Sequence, residues 1–387
     1  MILLIISLLL LLPYVALIIY YRQSWVQLKS YGKSQEAILE KDTFISVIIP
    51  ARNEEKNIGL CIESIIKQTY PDHLFEMIIV DDHSVDSTAA IANSFKQKNI
   101  RLLKLSDFSG NENLNSYKKK AVETAIRLAK GSLIVTTDAD CMVREQWLQT
   151  IASYYETTGA AFIAAPVVYT DALPIDAAFL KFLTIFQSLD FMALQGITGA
   201  SVYKKVHNMC NGANLVYEKK AFYDVDGFKA IDDIASGDDM LLMQKIQKLY
   251  PEKIKYLKST ETIVQTQPAQ TIREFLNQRI RWASKADRYP DIKITSVLFL
   301  VYFFNAWIFF IAILSIFYLQ AFYLFLALFI TKIIVELLFL YPVATFFNKQ
   351  KLLWWFIPCQ PFHIFYTLLA GWLGKFGSYT WKDRKVK

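Results

Sequence analysis

Residues 1–21 carry no charge and read as one apolar run from Met1 to Tyr21. The run has neither a basic leader nor a small-residue cleavage site, so it predicts an uncleaved anchor helix rather than a signal peptide. From residue 44 the pattern changes. Short apolar runs alternate with amphipathic stretches, which is the rhythm of strands and helices. Strands are predicted over 44–50, 75–81, 100–105 and 132–138, and helices over 54–67, from about Asp86, and over 117–130. This succession predicts an α/β fold with a mostly parallel, doubly wound sheet and ligands at the carboxyl ends of its strands. The stretch 106–115 is polar and without period, a loop.

Beyond residue 293 the apolar character returns. Runs over 294–319 and 321–341 predict a helical hairpin, each arm long enough to cross about 30 Å of hydrocarbon. Lys332 and Glu336 stand four apart in the second arm, the spacing of an ion pair on one helix face. A third run, 352–374, contains Pro358 and Pro361. The apolar, aromatic segment 173–196 reads either as an interfacial helix or as a buried one. The expected organisation is an N-terminal transmembrane helix (1–21), a linker (22–43), a soluble α/β domain (44–292), a C-terminal membrane region (293–374) and a basic tail (375–387).

Charge supplies an orientation. The 387-residue chain has a formal net charge of +7. Arg22, Lys29 and Lys33 follow the first run, and five basic residues crowd the last thirteen. Basic flanks are a topology signal and place the α/β domain in the cytoplasm. If all three C-terminal runs crossed, the basic tail would lie outside, so 352–374 is expected to be re-entrant or interfacial. No basic stripe with interleaved aromatics appears, so nucleic acid is not an expected partner. Four scattered cysteines and four scattered histidines suggest neither a disulfide framework nor a zinc site.

Two strand ends carry paired carboxylates. Asp81 and Asp82 close the second strand, where they can accept from a nucleobase or a ribose hydroxyl. Ser84 and Asp86 read equally well as helix caps. Asp138 and Asp140 close the fourth strand, and hard oxygen ligands there suit Mg2+ or Mn2+ shared with a substrate diphosphate. A second Asp-x-Asp, Asp224 and Asp226, lies in a turn-like run and reads as structural. In Ser236-Gly237-Asp238-Asp239, one carboxylate either caps the following helix or serves as a general base. Gln278, Arg281 and Trp282 share one face of a helix predicted from near Thr271. That face could hold a diphosphate and stack on a sugar.

The ordered set VIIPARNEE, IIVDDHSVDST, KKKAVETAI, LIVTTDADC, NGANLVYEKKAF, SGDDMLL and QRIRW resembles family 2 inverting glycosyltransferases over residues 44–290. The likeness is nearest to the membrane-integrated branch of cellulose, hyaluronan and poly-N-acetylglucosamine synthases and ceramide glucosyltransferase. The resemblance implies a GT-A fold, a UDP-sugar donor, a divalent metal (Mg or Mn), and a glycan or lipid-linked acceptor beside membrane lipid in a bacterial inner membrane. Residue by residue, it implies nucleotide-sugar contacts at Pro50, Ala51, Asn53, Glu55, Asp81, Asp82, Lys120 and Asp138. It implies a metal on Asp140, catalysis at Asp239 or Asp238, and acceptor or diphosphate contacts at Gln278, Arg281 and Trp282. Two positions depart from the family pattern: Asp238 stands where the family has Glu, and Asp226-Gly227-Phe228 where it has Gly-Gly-Phe. Transfer to a polyprenyl phosphate, and a non-catalytic nucleotide-binding membrane subunit, are the alternative readings.

Overall fold

The computed structural model describes residues 1–32, 43–109, 116–170, 178–232, 237–284, 291–376, 379–381 and 384–386. Residues 33–42 of the linker, 110–115 of the polar loop, 173–177 of the apolar segment, Ser236 and parts of the tail lie outside these. In chain order the helices are α1 (Ile2–Gln27), α2 (Ile58–Ile66), α3 (Thr88–Ser94), α4 (Ser106–Ser109), α5 (Tyr117–Leu128), α6 (Trp147–Thr158), α7 (Ala178–Lys204), α8 (Lys219–Asp224), α9 (Met240–Leu249), α10 (Ile272–Ala283), α11 (Ile292–Leu314), α12 (Leu319–Phe346) and α13 (Phe356–Phe376). The strands are β1 (Ile45–Ala51), β2 (Phe75–Asp81), β3 (Ile100–Lys104), β4 (Leu133–Thr136), β5 (Phe162–Ala164), β6 (Val167–Tyr169), β7 (Leu215–Glu218), β8 (Ile254–Tyr256) and β9 (Val264–Thr266), before a short C-terminal ribbon. The chain divides into two compact units, 29–170 with 208–267, and 1–28 with 171–207 and 268–387. The stretch expected as one α/β domain, 44–292, is therefore shared between them.

The first unit is an α/β sandwich around a seven-stranded sheet of order β3-β2-β1-β4-β7-β5-β8. β3, β2, β1 and β4 run parallel, as expected. β7 runs antiparallel to both its neighbours, β4 and β5. That reversal follows the excursion of the chain through α7, which separates β7 from the βαβ series. Every residue of β2 and nearly every one of β1 is buried. Such strands read as unbroken apolar runs because helices cover both sheet faces. β3, at the edge, carries Arg101 and Lys104, charges that discourage further strand pairing. The predicted helix over 54–67 begins only at Ile58. Asn53 adopts a left-handed conformation (φ 50°), and the next residues form a turn instead.

At the amino ends of the strands a buried glutamate ties the sheet together. Glu76 accepts from Ser46 Oγ at 2.8 Å and from Lys130 N at 2.6 Å, and pairs with Arg101 Nη2 at 2.9 Å. Gly131 donates to Ser46 Oγ at 2.8 Å. A Cβ on Gly131 would stand 2.6 Å from Ser46 N and 2.7 Å from Phe44 O, so only glycine lets the chain pass there.

The second unit is helical. α1, α11 and α12, of 26, 23 and 28 residues, are the described helices long and apolar enough to cross a membrane. At 1.5 Å per residue they span about 35–42 Å. α1 continues six residues past the expected end at Tyr21, because Ser24 and Trp25 are buried and Trp25 packs edge-on to Phe346 of α12. Tyr14 packs on Phe304 of α11 at 4.3 Å between centroids. Lys332 and Glu336 do pair, at 2.7 Å. Gln360 of α13 joins them, accepting from Lys332 and donating to Glu336 at 2.7 and 2.9 Å, and Tyr14 OH donates to Glu336. Each charge at that depth thus has partners from other helices. α7 is buried along residues 183–192, which favours the buried reading of that segment. Around Pro358 and Pro361 the chain is helical, with a 3-10 turn over Gln350–Trp355 leading into α13. Pro358 sits in the first turn of α13, where a helix needs no N–H donor.

Candidate active site

The carboxyl ends of β1, β2 and β4 lie side by side. Ala51 pairs in register with Asp81, and Asp82 N and Thr137 N extend the ladders to Ala51 O and Ile48 O at 2.8 and 3.2 Å. The loops after β1 and β2 are laced together. Asn53 N donates to Ser84 Oγ at 3.1 Å, and Asn53 Oδ1 accepts from Val85 N at 3.0 Å. Glu55 N donates to Asp86 Oδ2, and Glu55 Oε2 accepts from Ser87 N, both at 3.1 Å. Asn53 and Glu55, expected to meet the nucleotide, here give these side-chain oxygens to the loop pairing.

Asp81 and Asp82 are buried at this rim, 7% and 3% exposed. Asp81 Oδ1 accepts from Ser84 N at 3.3 Å. Asp82 Oδ1 lies 3.0 Å from His83 Nδ1, and Arg52 Nη1 donates to the Asp82 carbonyl at 2.8 Å. His83 has a left-handed φ of 55°, and its ring meets Tyr117 edge-on at 5.8 Å. Asp86 caps α3 from one residue before its N-cap position, Ser87. Its Oδ1 accepts from Thr88 N at 3.0 Å, at the start of α3. Burial works against its charge, but the hydrogen bonds from Thr88 and Glu55 prevail and hold its carboxyl below the ordinary value.

Lys118 organises the next part of the rim. Its Nζ lies 2.8 Å from Asp138 Oδ1 and 3.1 Å from Asp238 Oδ2. Burial opposes the charge on this amine, yet Asp138 and Asp238 outweigh it and raise its pKa well above the ordinary value. One cation thus joins the Asp138-Ala139-Asp140 loop to the Gly237-Asp238-Asp239 loop across a cavity lined by Pro50, Thr137, Gly212 and Phe228. A Cβ on Gly212 would stand 3.4 Å from Lys118 Nζ and 3.7 Å from Asp238 Oδ2, so glycine leaves that space clear.

The lysine expected here was Lys120. Two residues along a helix is a rotation of about 200°, which turns Lys120 to another face of α5, while Lys119 is buried and donates to Ile231 O. A signal was present in the sequence. Lysines in the first turn of a helix, where the macrodipole disfavours a cation unless carboxylates answer it, mark this turn as a place to look, but Lys118, Lys119 and Lys120 all lie in it and the signal does not choose among them.

Asp239 is the N-cap of α9 and accepts from Met240 N at 2.7 Å. Gly237, with φ 83°, turns the chain so that Asp238 and Asp239 follow the loop into the helix. Asp140 accepts from Thr266 Oγ1 at 3.3 Å, and Cys141 Sγ lies 3.6 Å away. Among the described residues no three metal-ligating side chains converge. Asp138 and Asp140 are two hard carboxylates at a strand end, a set suited to an ion that completes its shell with substrate phosphates and water. The second Asp-x-Asp is structural: Asp224 pairs with Lys220 at 3.0 Å, and Asp226 forms a turn with φ 54°.

Gln278, Arg281 and Trp282 lie on α10, in the helical unit, and are half-buried. Thr271 caps that helix, accepting from Glu274 N at 3.1 Å, and Glu274 reaches back to Gln270 N at 2.9 Å. These two bonds, on the N-cap and on the residue before it, fix where the helix begins.

Residues 46–224 match the family model "Glycosyl transferase family 2". The chain is 35% identical over 129 residues to the glycosyltransferase AglE of Haloferax volcanii, a stretch covering 33% of this chain and 40% of AglE. It is 33% identical over 102 residues to WfgD of Escherichia coli, a UDP-Glc:alpha-D-GlcNAc-diphosphoundecaprenol beta-1,3-glucosyltransferase, covering 26% of this chain and 36% of that one. The matched parts thus span less than half the length of either relative. Among solved structures, the mannosyltransferase PcManGT from Pyrobaculum calidifontis, in complex with GDP-Man and Mn2+, superposes with a TM-score of 0.59 at 16% identity over 96% of each chain. That likeness is one of fold.

Proposed function

We propose, from the match of residues 46–224 to the glycosyl transferase family 2 model, that this chain moves a sugar from a nucleoside-diphosphate donor to an acceptor hydroxyl at a membrane. The observation that carries the proposal is the Lys118 bridge between Asp138 and Asp238, which sets a strand-end carboxylate and the Asp238-Asp239 loop around one cavity. In this reading Asp81 and Asp82 meet the nucleoside, which the family resemblance makes uridine. Asp138 and Lys118 face the diphosphate. Lys118 is charged throughout the physiological range and stands ready as a donor to a leaving phosphate.

The transfer is a single inverting displacement. Asp239 removes the proton from the acceptor hydroxyl as that oxygen attacks the anomeric carbon, and the bond from that carbon to the diphosphate breaks with its electrons going to the leaving group. A Mg2+ or Mn2+ held by Asp140 would neutralise charge on the diphosphate. Gln278, Arg281 and Trp282 serve the acceptor side. The three apolar helices support an integral membrane protein, and the basic flanks support a cytoplasmic catalytic unit. The exposed Trp354 and Trp355 before α13 support an interfacial placement of that helix. The named acceptor of WfgD supports a lipid-linked glycan as the acceptor class.

The test is nucleotide release by the detergent-purified protein across UDP- and GDP-sugars, with Mn2+ or Mg2+ and with chelator. Turnover of one donor, abolished in Asp239→Asn while nucleotide binding persists, is the expected result. Undiminished turnover by Asp239→Asn would point instead to an acceptor phosphate, which needs no base. No release from any donor would leave only nucleotide binding.

A further inference from the structure

Three helices of the helical unit meet at a carboxylate that the proposed reaction leaves unused. Asp190, midway along α7, is 9% exposed. Its Oδ2 lies 2.8 Å from Arg279 Nη2 on α10. From α13, Tyr366 OH donates to it at 3.3 Å, and His363 Nε2 lies 3.9 Å away. Arg279 is 2% exposed, and its guanidinium carbon sits 4.3 Å from the Trp282 ring centroid and 5.1 Å from that of Phe275. Phe191, next to Asp190 in the chain, packs on Trp282 at 6.1 Å between centroids. Asp190 thus holds the cation that covers one face of Trp282, and its own neighbour touches the same ring.

A buried ion pair is a poor way to gain stability, since apolar side chains of equal volume often serve as well. It differs from apolar packing in directional constraint. A guanidinium 2.8 Å from a buried carboxylate is a cation kept in one place, and against an indole it restrains that ring. We infer that Asp190 is a positioning residue for acceptor binding, acting through Arg279 to hold the Trp282 indole. This rests on the reading of Gln278, Arg281 and Trp282 as the acceptor side.

The experiment uses the full chain in detergent, labelled with 5-fluorotryptophan, with the Trp282 resonance assigned by its loss in Trp282→Phe. Asp190→Asn is expected to shift that 19F resonance and raise the acceptor KM tenfold or more. Donor KM and acceptor-free hydrolysis of the nucleotide sugar should stay within twofold. Asp190→Glu should recover most of the acceptor KM. A lowered thermal midpoint with an unmoved Trp282 resonance and unchanged acceptor KM would show a purely structural pair and overturn the inference. Should Asp190→Asn fail to fold, Arg279→Lys keeps the charge and loses the guanidinium, and is read in the same two ways. Absence of any turnover by the unmodified protein would sink the proposed activity alone. The 19F shift would then still decide whether Asp190 positions the ring.

Discussion

At the scale of single residues, Lys118 decides how the rim is assembled. Its replacement by Met removes one cation from between two carboxylates. Charge-assisted hydrogen bonds contribute about 1.5–3 kcal/mol, so kcat/KM of Lys118→Met should fall roughly 10- to 100-fold, measured by nucleotide release. Because its folded-state pKa is raised, the stabilisation from Lys118 is complete below the unfolded value of about 10.4 and is lost only as pH rises through the higher folded value. An alkaline limb of activity between pH 7 and 9 should therefore not come from this lysine. Asp86 behaves in the opposite sense. Its lowered pKa means that its cap on α3 contributes above the unfolded value near 3.9 and is lost as pH falls through the folded one. Asp86→Ala should cost about 1 kcal/mol at neutral pH, with the difference from the parent protein shrinking in acid. Urea unfolding at pH 7 and pH 3 checks the sign.

At the scale of elements, two contacts show how strands and helices are locked. Gly131 lets the chain cross the start of β1 at backbone contact distance. Gly131→Ala forces either β1 or the turn before β4 to move and should lower stability by about 1–3 kcal/mol, seen as a lower thermal midpoint. In the helical unit, Lys332→Met leaves Glu336 with its charge buried and its closest cation gone. Loss of one partner of a buried pair costs about 3–5 kcal/mol, whereas replacing both is often neutral. The double variant Lys332→Met with Glu336→Gln should therefore recover much of the midpoint that Lys332→Met loses. A double variant no better than the single one would mean that the loss comes from the contact of Lys332 with Gln360 rather than from a stranded charge on Glu336.

At the scale of the whole molecule, the helical unit has a distinct surface. α1 and α12 turn residues such as Leu9, Leu12, Ile330 and Leu338 outward, each at least half exposed. Outward apolar faces on helices of this length suit lipid. The full chain should accordingly stay with the membrane fraction under alkaline carbonate and need detergent for extraction; release by carbonate would contradict the spanning reading. The sequence by itself determined the elements whose signal is local. Strands buried on both faces leave continuous apolar runs, so β1, β2 and β4 were legible at nearly their true bounds; the long apolar helices were legible in place, with ends five or six residues off, and so were the carboxylates Asp81-Asp82 and Asp138-x-Asp140. What only the tertiary structure decided depends on partners distant in the chain. The insertion of β7 antiparallel beside β4, the choice of Lys118 over Lys120, the use of Asn53 and Glu55 in loop pairing, and the meeting of Asp190 with Arg279 all turn on which side chains packing brings face to face. Helical periodicity constrains which residues share a face, but it carries no information about what that face will meet.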